Sequence, residues 1–202
     1  MAKHTMNNAF RAAAGALALG LAACHAPVAD APPLAGAQIG GPFVLTDQDG
    51  RRFDSASLAQ RYPIVYFGYT FCPDVCPLDM QVLGKAMRVL EKKDPAKAAK
   101  LQPLFITVDP ARDTPPVLKQ FVSAFHPRLI GLTGTPAQID RVAKLFAVMH
   151  QADPPDAGTA GGYLVQHSRV TMLFGPGMKP LALLPTDQTA EAVADEIGKW
   201  VP

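Results

Sequence analysis

Two uninterrupted apolar runs constrain this chain most: Pro63-Ile64-Val65-Tyr66-Phe67-Gly68-Tyr69 and Leu104-Phe105-Ile106-Thr107-Val108. Each is short, rich in β-branched and aromatic residues, and without polar alternation, so each reads as an inner strand that needs cover on both faces. Helical patterns supply the cover. After the first run Leu78, Val82, Leu83, Ala86, Met87 and Leu90 recur at helical spacing, ending at Glu91-Lys92-Lys93-Asp94 before Pro95. After the second, Thr114-Pro115 offers an N-cap and a first-turn proline, with Leu118, Phe121, Val122 and Phe125 on one face. A third strand over 128–132 precedes Thr135-Pro136-Ala137-Gln138, a capping box, and a helix turning Ile139, Val142, Ala143 and Phe146 inward. Strand alternating with helix requires a sheet with a parallel centre.

The flanks read differently. Phe43-Val44-Leu45 and Arg52-Phe53 bracket the turn Asp47-Gln48-Asp49-Gly50, a β-hairpin extending the domain at its N-terminal side. Val170–Phe174 and Leu181–Leu184 flank Gly175-Pro176-Gly177 as a second hairpin, and Thr189 caps a last helix carrying Val193, Ile197 and Trp200. Residues 152–162 form a Pro/Gly-rich loop of a length that is commonly functional. The expected architecture is α/β: a central mixed sheet flanked by helices, consistent with a thioredoxin-like fold.

With 202 residues, 49% of them apolar, the chain can bury one good core. A net charge of +2 and the absence of any Lys/Arg cluster interleaved with aromatics argue against a nucleic-acid partner. Residues 1–23 pair a basic start, Lys3 and Arg11, with an Ala/Leu/Gly run too short to span a bilayer, which suits an export signal. The run ends Leu21-Ala22-Ala23-Cys24, similar to a bacterial lipobox, so Cys24 is expected to carry a lipid. Residues 24–37, rich in Ala and Pro, read as a tether, and 38–202 as the folded domain. The expected location is an exported lipoprotein, membrane-anchored and facing the periplasm, where disulfides are permitted.

Between the first inner strand and its helix lies Cys72-Pro73-Asp74-Val75-Cys76-Pro77. At a helix start, unpaired N–H groups and the helix dipole favour thiolate, which is both nucleophile and metal ligand. Cysteines four apart can close a redox disulfide or clamp a soft ion, and spacing alone leaves both open. A further ligand would discriminate. His25 lies in the tether, His126 stands at a helix end as a C-terminal cap, and His150 borders the long loop. His167, between that loop and a core strand, is the best placed. Met80, Met87, Met149 and Met172 lack paired spacing and are assigned to core packing, while Asp109 and Asp113 are expected to cap the following helix and shape its loop.

Taken together, Gly68 through Pro77, Ile106 through Pro115, Gly131 through Gly134 and Tyr163 through Ser168 closely resemble the Sco/SenC copper proteins, in order and spacing, over roughly residues 38–200. The resemblance implies a membrane-tethered thioredoxin-like domain that binds one copper through Cys72, Cys76 and His167. It also implies a metallochaperone role in assembling the dinuclear copper site of cytochrome c oxidase, with that oxidase subunit as partner and an upstream copper donor feeding it. Soft sulfur suits Cu(I), and imidazole suits either copper oxidation state. A thiol:disulfide oxidoreductase using Cys72 and Cys76, or a copper or redox sensor, are the alternatives. One departure stands out: the family's histidine usually follows aspartate, whereas here Gln166 precedes His167 and removes a negative charge.

Overall fold

The two apolar runs lie side by side at the middle of the sheet. In the computed structural model, which describes residues 31–154 and 162–202, β3 (Tyr62–Gly68) and β4 (Leu101–Thr107) pair in parallel from Tyr62↔Leu101 to Gly68↔Thr107. Six of the seven residues of β3 are buried, as a strand covered on both faces must be. β5 (Ile130–Thr133) adds in parallel beyond β4. The hairpin of β1 (Val44–Asp47) and β2 (Arg52–Asp54) attaches antiparallel to β5, while β8 (Thr171–Gly175) and β9 (Lys179–Leu183) attach antiparallel to β3. The seven-stranded order is β2-β1-β5-β4-β3-β8-β9, a mixed sheet with a parallel centre and antiparallel wings.

Among the described residues five α-helices accompany it: α1 (Val75–Lys93), α2 (Pro95–Lys100), α3 (Pro115–Ser123), α4 (Pro136–Leu145) and α5 (Ala190–Trp200). α1 packs against α5, and α3 against β5. The capping box of α4 is present in both directions between Thr135 and Gln138. Thr189 accepts from the Ala192 amide at the start of α5. One compact unit spans Pro32–Pro202, and Leu34 already donates to the Leu181 carbonyl at 3.0 Å. Among the described residues no helix is long and apolar enough to cross a membrane. The segment expected to be an export signal, Cys24, His25 and most of the 152–162 loop lie outside the described residues.

Several sequence expectations need correcting. α2 is an additional helix, opened by the Asp94 carboxylate accepting from the Lys97 amide, with Pro95 in its first turn. β5 starts at Ile130 rather than 128, because the Arg128 amide is turned to His126 Nδ1 at 3.2 Å. Leu78, expected on the inward face of α1, is 54% exposed, and the carboxylate of Asp79 is buried beside it. Met80, Met87 and Met172 do pack in the core, but Met149 is 79% exposed. Its backbone is held on both sides by Ser168, which leaves the side chain outside.

Candidate functional site

The cysteine segment is suspended from the end of β3 and the start of α1. Gly68 ends the strand where no side chain fits: a Cβ there would lie 2.7 Å from Tyr66 Cε1 and 3.1 Å from Cys76 Sγ. The loop is tied down by Asp113, which is fully buried and accepts from the Thr70 amide at 3.0 Å, the Thr70 hydroxyl at 2.6 Å and the Thr107 hydroxyl at 2.6 Å. Asp113 therefore joins the cysteine loop to β4. The expected cap on α3 is absent, since the residue at its N-cap, Thr114, makes no side-chain capping bond.

Val75 opens α1, so Cys76 and Pro77 fall in the first turn, where backbone N–H groups have no partner within the helix and a proline removes nothing. One of those donors is used at once: the Cys76 amide points at Cys72 Sγ, 3.4 Å away. Cys72 is half-buried and Cys76 fully buried, both as free thiols.

His167 reaches the pair from the other side. It ends β7 (Val165–His167), which pairs antiparallel with β6 (His150–Ala152) in a small separate sheet. Its Nε2 lies 3.4 Å from Cys76 Sγ and its Nδ1 3.2 Å from the Ser168 carbonyl. The Ser168 carbonyl is placed to accept from Nδ1–H, and Nε2 faces the sulfurs, where it donates to a thiolate when it carries a proton and offers a lone pair to a metal when it does not. The rings of Tyr69 and Tyr66 stand edge-on to the imidazole, with centroids at 6.0 and 6.3 Å. All three expected side chains thus meet.

The remaining histidines do not join them. His150, directly across from His167 in the ladder, turns its Nε2 to Asp140 Oδ1 at 3.2 Å. His126 is buried between the Arg128 amide and Glu91, and its own amide donates to the Val122 carbonyl at 3.4 Å near the end of α3. Among the described residues no group of three or more His, Cys, Asp or Glu side chains stands arranged around one point for a metal. Cys72, Cys76 and His167 are hydrogen-bonded to one another instead.

That hydrogen bonding divides the thiols. Donation from Cys76, foremost, then from His167 and the amides of Asp74 and Cys76, draws Cys72 down to about 3 against the effect of burial. Cys76 is pushed well above the ordinary thiol range, first by that same partnership and then by burial. One thiolate and one thiol share the proton between them.

Sequence reading missed the supports around this trio. The Asp79 carboxylate accepts from Tyr66 Oη at 3.0 Å and from Nε and Nη2 along one edge of the Arg169 guanidinium, at 2.9 and 2.6 Å. Arg112 lies 3.7 Å above the Tyr163 ring, near the exposed Phe71, and is bonded to Asp109, which also accepts from Tyr163 Oη at 2.8 Å. A charged residue at a core position of α1, which Asp79 is, was the available signal. Gln166 points away from the trio: it is exposed and donates to Asp153 Oδ1 at 3.0 Å.

Comparison with known proteins agrees with this geometry. The SCO1/SenC family profile matches residues 31–202. Protein SenC of Rhodobacter capsulatus is 41% identical over 165 residues, 81% of this chain and 71% of that protein. Mitochondrial SCO2 of Saccharomyces cerevisiae is 45% identical over 138 residues, 68% of this chain, and that match spans only 44% of the yeast protein. The crystal structure of Arabidopsis thaliana ScoI with copper bound superimposes with a TM-score of 0.72 at 34% identity, covering 80% of this chain and 97% of that one. At 20% identity, BsSco, described as having a disulfide switch and as a member of the Sco family of cytochrome c oxidase assembly proteins, shares the fold with a TM-score of 0.65 over 84% and 97% of the two chains. Matched over residues 31–202, and thioredoxin-like as those proteins are, the chain belongs to the SCO1/SenC family.

Proposed function

We propose that this protein is a copper metallochaperone that holds one copper ion on Cys72, Cys76 and His167 and assists assembly of the dinuclear copper site of cytochrome c oxidase. The observation that carries the reading is the convergence of two sulfurs and one imidazole, whose Nε2 faces them while its Nδ1 lies against the Ser168 carbonyl. The donor set fits the ion. A gap of 3.4 Å between Cys76 Sγ and His167 Nε2 is shorter than the sum of about 2.3 and 2.0 Å that a closed-shell ion spans between sulfur and nitrogen ligands. Cys72 is already a thiolate, and the Cys76 proton would leave on loading, so uptake releases a proton. Soft thiolates select Cu(I).

The same reading makes residues 1–23 an export signal, Cys24 the lipidated anchor, and residues 24–37 the tether that lets the domain reach a membrane-bound oxidase subunit from the periplasmic side. An upstream donor would load it. The test is stoichiometric Cu(I) titration of the reduced protein: one ion per chain is expected, with binding abolished in Cys72→Ala and Cys76→Ala. Tight binding of one ion that survives both substitutions refutes the assignment.

A thiol:disulfide oxidoreductase is the second reading, and the split between the two thiols favours it. A low-pKa, half-exposed Cys72 is an attacking nucleophile, and a buried, protonated Cys76 is a resolving thiol. Two electrons would pass from the pair to a partner disulfide, leaving a Cys72–Cys76 disulfide. His167→Ala discriminates: reductase turnover should survive it, whereas the nitrogen ligand to copper should not.

A further inference from the structure

Two contacts join α1 to the segment that ends β7, and they run side by side. Cys76 meets His167 at 3.4 Å, and three residues further along the helix Asp79 meets Arg169, two residues beyond the histidine, at 2.6 and 2.9 Å. Positions i and i+3 share a helix face, and His167 and Arg169 both turn to that face of α1, so the contacts form successive rungs. The second rung is much the stronger. Its guanidinium grips both carboxylate oxygens in fork geometry, which fixes position along and across the pair. The carboxylate is fully buried, and the Arg169 side chain is 42% exposed. The Tyr66 hydroxyl, reaching Asp79 from β3 at 3.0 Å, adds a third element to the same anchor, and its ring stands against the imidazole.

The other backbone holds on His167 tie it to the neighbouring strand rather than to α1: among the described residues β7 pairs with the three-residue β6, and Ser168 exchanges two hydrogen bonds with Met149. To α1 itself the histidine makes one hydrogen bond, to Cys76. We infer that the Asp79–Arg169 pair is a positioning device that holds the His167 imidazole in register with Cys76 on α1. The inference rests on the reading of His167 as a copper ligand for its consequence in binding, but the placement itself exists without metal.

The test therefore has a metal-free arm and a loaded arm. Arg169→Met leaves Asp79 buried without its partner and can compromise folding. The double variant Asp79→Leu/Arg169→Met replaces the pair by apolar groups, a change that preserves stability in comparable buried pairs, and the Tyr66 hydroxyl, losing Asp79, keeps its hydrogen bond with Cys76. In the reduced apo-protein, proton nuclear Overhauser contacts between the His167 imidazole and the Tyr69 and Tyr66 rings are expected to weaken or vanish in the double variant, while its thermal midpoint stays near the wild-type value. Loaded with Cu(I), the variant is expected to lose the nitrogen scatterer in X-ray absorption and to bind about 10- to 100-fold more weakly, the effect usual for groups that orient a ligand. Arg169→Lys, charged but unable to grip both oxygens, should fall between.

Unchanged ring contacts in the folded double variant overturn the inference, as does a copper shell that keeps its nitrogen at wild-type affinity. Failure of the wild type itself to bind copper refutes the metallochaperone reading instead, and leaves the ring contacts to decide the positioning role.

Discussion

Alkylation of Cys72 offers a quantitative check on the hydrogen-bonded thiol pair. With its pKa held at about 3, Cys72 is ionised at every pH from 5 upward, whereas an unperturbed thiol at 9.0 is only about 0.01% thiolate at pH 5. The populations differ by about 10⁴. Nucleophilicity works the other way: with a Brønsted slope of about 0.45, a drop of about six units in basicity makes the thiolate about 500-fold less reactive. The product decides the outcome. Against a simple reference thiol, Cys72 should react with iodoacetamide about 20-fold faster at pH 5 and about 50-fold slower at pH 8. Its own rate should be flat between, and peptide mapping should find the label on Cys72 and not on the buried Cys76. Half-burial slows both ends equally and leaves the flat profile intact. A rate that climbs tenfold per pH unit between 6 and 8 would show an ordinary thiol and remove the basis for dividing the pair into nucleophile and proton donor.

The same pair should write itself into stability. Cys72 is lowered on folding and Cys76 raised, so stability relative to Cys72→Ser/Cys76→Ser should rise as pH increases from about 3 toward 9, then fall above 9 as the unfolded chain ionises Cys76 and the native state does not; urea midpoints under reducing conditions measure it. Asp113→Ala deprives Thr70 and the buried Thr107 of their common acceptor and should cost about 3 kcal/mol in chemical unfolding, with Cu(I) binding weakened because the cysteine loop loses its tie to β4. Gly68→Ala drives a Cβ into Tyr66, Phe105 and Cys76 Sγ and should cost about 1–3 kcal/mol; a thermal midpoint equal to wild type would show that these neighbours yield. Gln166→Asp should leave Cu(I) affinity within about twofold, because position 166 faces Asp153 and not the sulfurs. A tenfold change on competition titration would return the site's electrostatics to that residue.

How much of this was legible in the sequence depended on how local the cause was. The central strands, the hairpins at both flanks and the caps of α4 and α5 follow from periodicity and turn chemistry within a few residues. β6 and β7 did not announce themselves, since three-residue strands carry no period, and their pairing exists only because the chain returns on itself. Leu78 misled for a related reason: α1 begins at Val75, and this phase puts Cys76, Asp79 and Met80 inside and Leu78 outside. Asp79 can occupy a core position because Arg169, ninety residues on, neutralises it, and no local pattern contains that partner.

The site divides along the same line. Cys72 and Cys76 are set by one strand end and one helix start, so sequence placed them together; it expected both to favour thiolate, whereas only Cys72 does, because the hydrogen bond to Cys72 and burial keep Cys76 a thiol. His167 was located by its place beside a core strand, but what suits it to a ligand's role is the Ser168 carbonyl at Nδ1, which leaves Nε2 facing the sulfurs. Gln166 looked like a defect by comparison with the usual aspartate, and its alternation with His167 along β7 removes the difficulty: neighbours in a strand point to opposite faces. The acidic support that this chain gives the site comes through α1 instead, as Asp79 acting on Arg169, two residues past the histidine and on its own side of the segment.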